Sequence, residues 1–175
     1  WEYSEDRKIA GYNPSASLWG FILKYENPNS SIYQVIHEKV TVAIESFLKT
    51  TTTEKHELVN FIELYSYLND KEKYKLFFSH LELCVKMAID VDIDRWFTTY
   101  TTRPSDLVRK KEDPGYQFAK DLLLREIEIM YENQNNEGVW DITWSWDEKS
   151  DIFKKSRQYW MGFIALENVL LFTRV

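Results

Sequence analysis

The chain has little of what most catalytic and cofactor-binding motifs require. Its 175 residues include one cysteine, five glycines and four prolines. The single cysteine, Cys84, excludes an internal disulfide bond and cannot by itself form a thiolate metal site. The scattered glycines form no dinucleotide-binding or phosphate-binding loop, and no G-x-S-x-G sequence provides a hydrolase nucleophile. We therefore predict no bound cofactor.

Positive charge and long apolar runs are also scarce. With 28 acidic and 22 basic residues, the formal net charge of -6 argues against a broad nucleic-acid or anionic-membrane footprint. No stretch reaches the ~20 consecutive apolar residues that cross a bilayer, and no basic-then-apolar leader opens the chain. We therefore expect a soluble, cytoplasmic protein with no nucleic-acid or membrane partner.

What the chain does contain is apolar and aromatic residues, at 44% and 16% of the total, enough for a sizeable core in one domain. Their spacing is helical, and no convincing pair of strands is present. Residues 90–116 break the periodicity and predict a long connection with one short helix after Pro104. The periodicity predicts six main helices, over about 14–25, 29–47, 56–68, 72–89, 117–132 and 149–172.

The third predicted helix has an apolar arc of roughly 220°, wide enough to be covered by neighbours on both sides. Other helices, such as the second, have one apolar side only. Narrow-arc and wide-arc helices joined in sequential hairpins indicate an all-α fold, a layered α/α-hairpin array. The polar stripe that the third helix retains borders either water or a cavity, and it consists of His56, Asn60, Glu63 and Tyr67.

Near the end of the chain, NQNNEGVWDITWSWDEKS places three tryptophans within seven residues. Its residues Gln134, Gly138 and Trp140 have the spacing Q-x-x-x-G-x-W. This spacing resembles the repeat of the squalene cyclase and prenyltransferase α/α-toroid superfamily. The wider pattern includes GYNPSA at the start of a helix, HELVNFIELY, TTRPSDLV after a tryptophan, GVWDITWSW and YWMGFIALE. This pattern is similar to that of a group of uncharacterised bacterial proteins with toroid-like helical domains. The resemblance implies that the glutamine caps helix ends and that the tryptophan packs on the turn between an outer and an inner helix.

The same resemblance bears on how complete the fold is. Six helices would form half of a twelve-helix toroid, and a half-toroid has no closed cavity of its own. The resemblance therefore implies that residues 1–175 are a single α/α domain, the C-terminal half of a longer toroid-like protein. We expect its partner to be a missing N-terminal half or a second copy of the chain.

Carboxylates beside tryptophans are the main candidates for chemistry. Toroid glycosidases and lyases combine tryptophan platforms, which stack on sugar faces, with acids for proton transfer. Our first hypothesis is that the chain forms part of an aromatic and acidic cavity for a carbohydrate or an isoprenoid-type ligand. The candidate cavity-lining residues are His56, Glu57, Asn60, Trp96, Trp140, Asp141, Trp144, Trp146, Trp160 and Glu167.

Structural alternatives exist for these residues. Packing between helices is the favoured alternative for the tryptophans, and Glu57 falls in a first helical turn, where the helix dipole favours a carboxylate. His56 fits a capping or surface position, and Asp147 fits a cap of the last helix. His80 and Cys84 lie four residues apart, but no third ligand has a defined spacing, so we predict no metal site.

The sequence leaves open whether the protein is an enzyme and which residues would be catalytic. Our alternative hypothesis is a non-catalytic helical module that presents a surface to another protein. Such a module would have an extended exposed apolar surface without convergent polar groups.

Overall fold

A computed structural model of the chain describes residues 11–145 and 150–174. The described residues form helices and no strands, which confirms the all-α prediction. The six predicted main helices correspond to the six long ones observed, and the short helix after Pro104 is present. The helices are α1 (Ser15–Tyr25), α2 (Ser31–Phe47), α3 (Lys55–Tyr67), α4 (Lys75–Ala88), α5 (Pro104–Leu107), α6 (Tyr116–Glu132) and α7 (Asp151–Phe172).

The chain divides into two compact units, Trp1–Met87 and Ala88–Val175. Unit 1 contains α1, α2, α3 and almost all of α4. Unit 2 contains a 3-10 turn at Ile93–Arg95, the short α5, and the long α6 and α7. The toroid arrangement stays a prediction.

Unit 1 is built around α3, as its wide apolar arc predicts. Phe61 of α3 lies 4.3 Å, centroid to centroid, from Phe47 of α2 and 6.0 Å from Phe77 of α4. All three rings are buried. On another side of α3, the helix α1 passes so close that Gly20 meets the backbone of Leu64. The third helix is thus covered by three neighbours within its own unit.

Two helix starts differ from the sequence prediction. The sequence Asn13-Pro14-Ser15 predicts that Asn13 caps α1 and that Pro14 is its first helical residue. In the structure α1 begins at Ser15, and Pro14 occupies the cap without a side-chain hydrogen bond. The Asn13 side chain is instead engaged by Asn60. The fourth helix was expected from about residue 72, but it begins at Lys75.

In unit 2, a long connection precedes α6. Residues 89–115 contain only the 3-10 turn and α5 as regular structure, and Gly115, with φ of 84°, turns the chain into α6. A left-handed φ of this size favours glycine, which has no Cβ to clash. Among the described residues, no helix is long and apolar enough to cross a membrane.

Candidate functional site

The Q-x-x-x-G-x-W residues form a joint between α6 and α7. Gly138 has φ of 76°, and the side-chain amide of Gln134 donates to its carbonyl oxygen at 3.3 Å. Trp140 is buried, and its indole N–H donates to the Met130 carbonyl near the end of α6 at 2.8 Å. Its ring also meets the edge of Phe172 at 5.9 Å. Trp140 therefore closes the end of α6, while Gln134 bonds within the turn.

Trp96 is also packed inside unit 2. It is fully buried, and its indole N–H donates to the Asp90 carbonyl at 2.6 Å. The Asp90 carboxylate in turn accepts from the Thr101 hydroxyl at 2.7 Å, a bond that lowers the pKa of Asp90 below its ordinary value. These bonds hold the long connection in place. Neither Trp96 nor Trp140 presents a ring to solvent.

Trp144 and Trp160, in contrast, come together at the surface of unit 2. Their ring centroids are 5.7 Å apart with an interplanar angle of 81°, so one ring meets the edge of the other. Tyr100 meets Trp144 at 6.0 Å, and Phe163 meets Trp160 at 5.7 Å. Tyr100, Trp160 and Phe163 are exposed, and Trp144 is half-buried. We refer to these four residues as the aromatic cluster.

A cavity of about 530 Å³ opens beside Trp144. Asp141 and Arg157 lie in its wall and form an ion pair, in which the guanidinium contacts both carboxylate oxygens. The hydrogen bonds from Arg157 lower the pKa of Asp141 below its ordinary value, so the carboxylate is ionised at neutral pH. The complete lining is Asp141, Ile142, Trp144, Ser145, Phe153, Lys154 and Arg157.

The structure thus gathers Asp141, Trp144 and Trp160 from the predicted candidates into one region. Trp146 and Asp147 lie outside the described residues. Glu167, on α7, pairs instead with Arg109, whose Nη1 lies 2.6 Å from its Oε2. The predicted cavity-lining residues of unit 2 therefore fall into two groups. Asp141, Trp144 and Trp160 lie together in an accessible region, whereas Trp96 and Trp140 are buried and Glu167 pairs with Arg109.

The three remaining candidates belong to unit 1 and lie at the start of α3. Asn60 is buried, and its side chain makes three hydrogen bonds. Its amide N–H groups donate to Asn13 Oδ1 at 3.0 Å and to the His56 carbonyl at 2.8 Å, and its Oδ1 accepts from the Ser17 hydroxyl. His56 is exposed, and Glu57 is half-buried in the first helical turn. Asn60 therefore ties α3 to the beginning of α1, a role that explains one member of the polar stripe.

Sequence reasoning missed one buried carboxylate, Glu126 on α6. It accepts hydrogen bonds from the Ser105 N–H at 2.8 Å and the Ser105 hydroxyl at 2.5 Å, and Arg103 Nε lies 3.6 Å away. Burial raises the pKa of Glu126 to about 7 despite these favourable contacts. The signal was present in the sequence, because Glu126 interrupts a helical stripe of apolar residues that are all buried: Ala119, Leu123 and Met130.

No group of three or more potential metal ligands occurs among the described residues. The ring nitrogen Nε2 of His80 lies 2.7 Å from the Thr50 carbonyl oxygen, a hydrogen bond within unit 1. Cys84 is buried, and burial raises the pKa of its thiol. The hydrogen bond of His80 and the burial of Cys84 both fit a structural role within unit 1.

Comparisons with protein-family models, curated proteins and solved structures found no match to this chain. The resemblance to the toroid superfamily consequently stays a prediction from the Q-x-x-x-G-x-W spacing. The geometry of the two units is therefore the basis on which a function is inferred.

Proposed function

We propose that unit 2 binds a carbohydrate at the aromatic cluster and the adjoining cavity. The observation that carries this proposal is the position of Trp144. It lines the cavity next to Asp141 and Arg157, and it also contacts the exposed ring of Trp160. An accessible aromatic surface therefore borders fixed polar groups.

A sugar ring has the two kinds of surface that such a site can recognise. Its C–H face packs on an aromatic ring, and its hydroxyl groups donate to a carboxylate and accept from a guanidinium. The ion pair holds Asp141 and Arg157 in fixed orientations, which reduces the entropy lost on binding. Ser145 and Lys154 add further polar groups to the lining.

An isoprenoid ligand fits these surroundings less well. A prenyl chain needs a mainly apolar lining, whereas four of the seven lining residues here are polar or charged. The two cations that a diphosphate would attract already have partners, since Lys154 pairs with Asp151 at 3.1 Å and Arg157 pairs with Asp141. The charge arrangement therefore favours an uncharged, hydroxyl-rich ligand.

We propose binding rather than catalysis. A general acid for glycoside hydrolysis needs a raised pKa and a second carboxylate nearby. Among the described lining residues, Asp141 is the single carboxylate, and Arg157 lowers its pKa. Such a group accepts hydrogen bonds from hydroxyls but does not deliver protons near neutral pH.

Titration calorimetry with neutral oligosaccharides tests this proposal. The probes are cello-, xylo-, malto- and chito-oligosaccharides, and farnesyl diphosphate serves as the isoprenoid probe. We expect at least one saccharide series to bind, and Trp144→Ala to weaken that binding about tenfold, which is about 1.4 kcal/mol. The matched control is Tyr25→Ala, which removes an exposed aromatic ring in unit 1.

Two results would contradict the proposal. One is the absence of binding to every saccharide tested, and the other is equal affinity in the Trp144→Ala variant and the unmodified chain. Binding of farnesyl diphosphate alone would replace the carbohydrate by an isoprenoid ligand.

A second candidate function is a non-catalytic interaction module. The observation that favours it is the series of large apolar side chains that α7 exposes to solvent. Trp160 and Phe163, which α7 exposes, also belong to the aromatic cluster. The two functions can still be separated, because the cavity beside Trp144 belongs to the first alone and the exposed Tyr159 and Leu166 belong to the second alone.

A further inference from the structure

Helix α7 leaves an apolar side exposed. Only Phe153, Asn168 and Leu171 are buried in the helix, which has 22 residues. On another side, four large apolar side chains form what we call the α7 seam. Their exposed fractions are 80% for Ile152, 70% for Tyr159, 53% for Phe163 and 56% for Leu166.

The spacing of the seam is that of a helix that pairs with another helix. Ile152, Tyr159 and Leu166 recur every seven residues, and Phe163 falls between the last two, four residues after one and three before the other. Alternating steps of three and four residues define the apolar positions of a coiled coil. Half-buried Leu170 continues the pattern.

We propose that the seam binds the α7 helix of a second copy of this chain, with the two helices antiparallel. This proposal goes beyond carbohydrate binding and gives the interaction module a partner. A seam that pairs with itself about a two-fold axis needs no complementary sequence elsewhere.

The exposed area is sufficient for such a pair. With about 150–250 Å² for an aromatic side chain, Tyr159 and Phe163 expose roughly 250 Å² per copy. Ile152 and Leu166 add a comparable amount, so two copies would bury on the order of 1,000 Å², the size at which specific interfaces begin. A buried area of this size lies at the lower end of the range for specific interfaces, which fits a weak and reversible dimer.

The charges on α7 favour the antiparallel orientation. Its first third contains three basic residues and one acid, Lys154, Lys155, Arg157 and Asp151, and its last third contains Glu167. Ion pairs within the chain reduce this asymmetry, since Lys154 pairs with Asp151, Arg157 with Asp141 and Glu167 with Arg109. A parallel pair would bring the basic thirds of both copies together. An antiparallel pair separates them, places each beside the part of the second helix that contains Glu167, and opposes the two helix dipoles favourably.

Gly162 supports close approach near the middle of the pair. It lies next to the seam between Tyr159 and Leu166, and a Cβ added there would meet nothing within 4 Å. Glycine is unfavourable inside a helix unless a close backbone approach uses it. In an antiparallel pair centred at this position, Gly162 faces its own counterpart across the two-fold axis.

Sedimentation equilibrium of the full chain tests the dimer. We expect a mass that rises with concentration to twice the 21.0 kDa of one chain. The double variant Tyr159→Glu/Leu166→Glu should remain monomeric, with its helical circular dichroism retained as evidence of folding. Gln158→Glu, which adds one charge to the same helix away from the seam, is the control and should dimerise. A monomeric unmodified chain, or a dimer that survives the double variant, would overturn the proposal.

Disulfide cross-linking tests the orientation independently of stability. Gly162→Cys should form a covalent dimer on mild oxidation, because the two cysteines would meet at the axis. Leu170→Cys should not, since equivalent residues near the helix end are close only in a parallel pair. The native Cys84 is buried and is retained in both variants. Cross-linking of Leu170→Cys, with or without that of Gly162→Cys, would exclude the antiparallel pair, because equivalent residues of a parallel pair are adjacent along the whole helix.

The dimer and the carbohydrate site can fail separately. Trp144→Ala should weaken saccharide binding about tenfold and leave the dimer mass unchanged. The variant Tyr159→Glu/Leu166→Glu should abolish the dimer and leave saccharide binding measurable. If the unmodified chain lacks one of the two properties and has the other, the missing property identifies which of the two proposals is wrong.

Discussion

Gly20 of α1 lies against the backbone of Leu64 in α3, where an added Cβ would lie 3.0 Å from the Leu64 Cα. The same Cβ would lie 2.9 Å from Cδ2 of Tyr67. Contacts this short force two helices apart, because the backbone of α3 cannot move as a side chain can. The short distance between α1 and α3 therefore requires glycine at position 20, because glycine has no Cβ.

We expect Gly20→Ala to lower the free energy of unfolding by about 1–3 kcal/mol, the usual cost of overpacking. Gly162→Ala is the matched control, since its Cβ meets nothing within 4 Å. That control should raise stability by about 0.5–1 kcal/mol through helix propensity. Urea denaturation at low protein concentration, where the chain is monomeric, measures both. Equal effects of the two substitutions would contradict the packing explanation.

Glu126 should make the stability of unit 2 depend on pH. Its folded-state pKa of about 7 lies above the ordinary value of 4.5, so the folded state binds the proton more tightly than the unfolded state. The resulting stabilisation is present below about pH 4.5 and is lost as the pH rises through about 7. Glu126→Gln, which stays neutral, should remove this dependence.

The measurement for Glu126 is a series of denaturation curves between pH 4 and pH 8. The difference in unfolding free energy between the unmodified chain and Glu126→Gln should change by roughly 1–3 kcal/mol across the series. The expected sign is a loss of relative stability in the unmodified chain as the pH rises. A flat difference would mean that Arg103 and Ser105 compensate fully for the burial.

Asn168 and Asn60 should respond in opposite ways to the same substitution. Both are buried, but Asn168 Nδ2 has no hydrogen-bond partner among the described residues, whereas the Asn60 side chain makes three hydrogen bonds. Asn168→Leu should leave stability unchanged or raise it, because it removes an unsatisfied buried group. Asn60→Leu should lower stability by about 1–3 kcal/mol. Thermal unfolding of the two variants provides the comparison.

Substitution by phenylalanine should lower the stability of the protein at Trp140 but have little effect at Trp144. Trp140→Phe removes a buried hydrogen bond to the Met130 carbonyl and should cost about 1–2 kcal/mol of stability. Trp144→Phe changes a half-buried ring at the surface and should have little effect on unfolding. If both variants unfold alike, the joint at the end of α6 does not depend on the indole N–H.

The helices of this protein are largely predictable from the sequence. Apolar residues recur at helical spacing over long stretches, and helix ends coincide with polar caps such as Ser30, whose hydroxyl accepts from the Tyr33 N–H. The starts of α1 and α4 were less predictable. Asn13 does not cap α1, and its side chain accepts a hydrogen bond from Asn60, a contact that no local pattern indicates.

The candidate site was predictable only in part. The residues Asp141, Trp144 and Trp160 were named from the sequence because carboxylates and tryptophans cluster there. Which tryptophans are accessible was not predictable, since Trp140 and Trp144 lie four residues apart in one loop, yet Trp140 is buried and Trp144 is half-buried. The contact between Trp144 and Trp160 joins positions 16 residues apart, and it depends on how the loop folds onto α7.

The turn that Trp140 closes has one further property. Every residue from Asn133 to Gly138 is exposed, yet the ends of the segment are fixed by the hydrogen bonds of Trp140 and Asn133 to α6. Segments that are exposed at their tip and anchored at their base tolerate insertions well. Asn136 is therefore a suitable point at which to insert a reporter peptide or an affinity tag, so that the protein can be labelled and immobilised while the aromatic cluster and the α7 seam keep their native sequence.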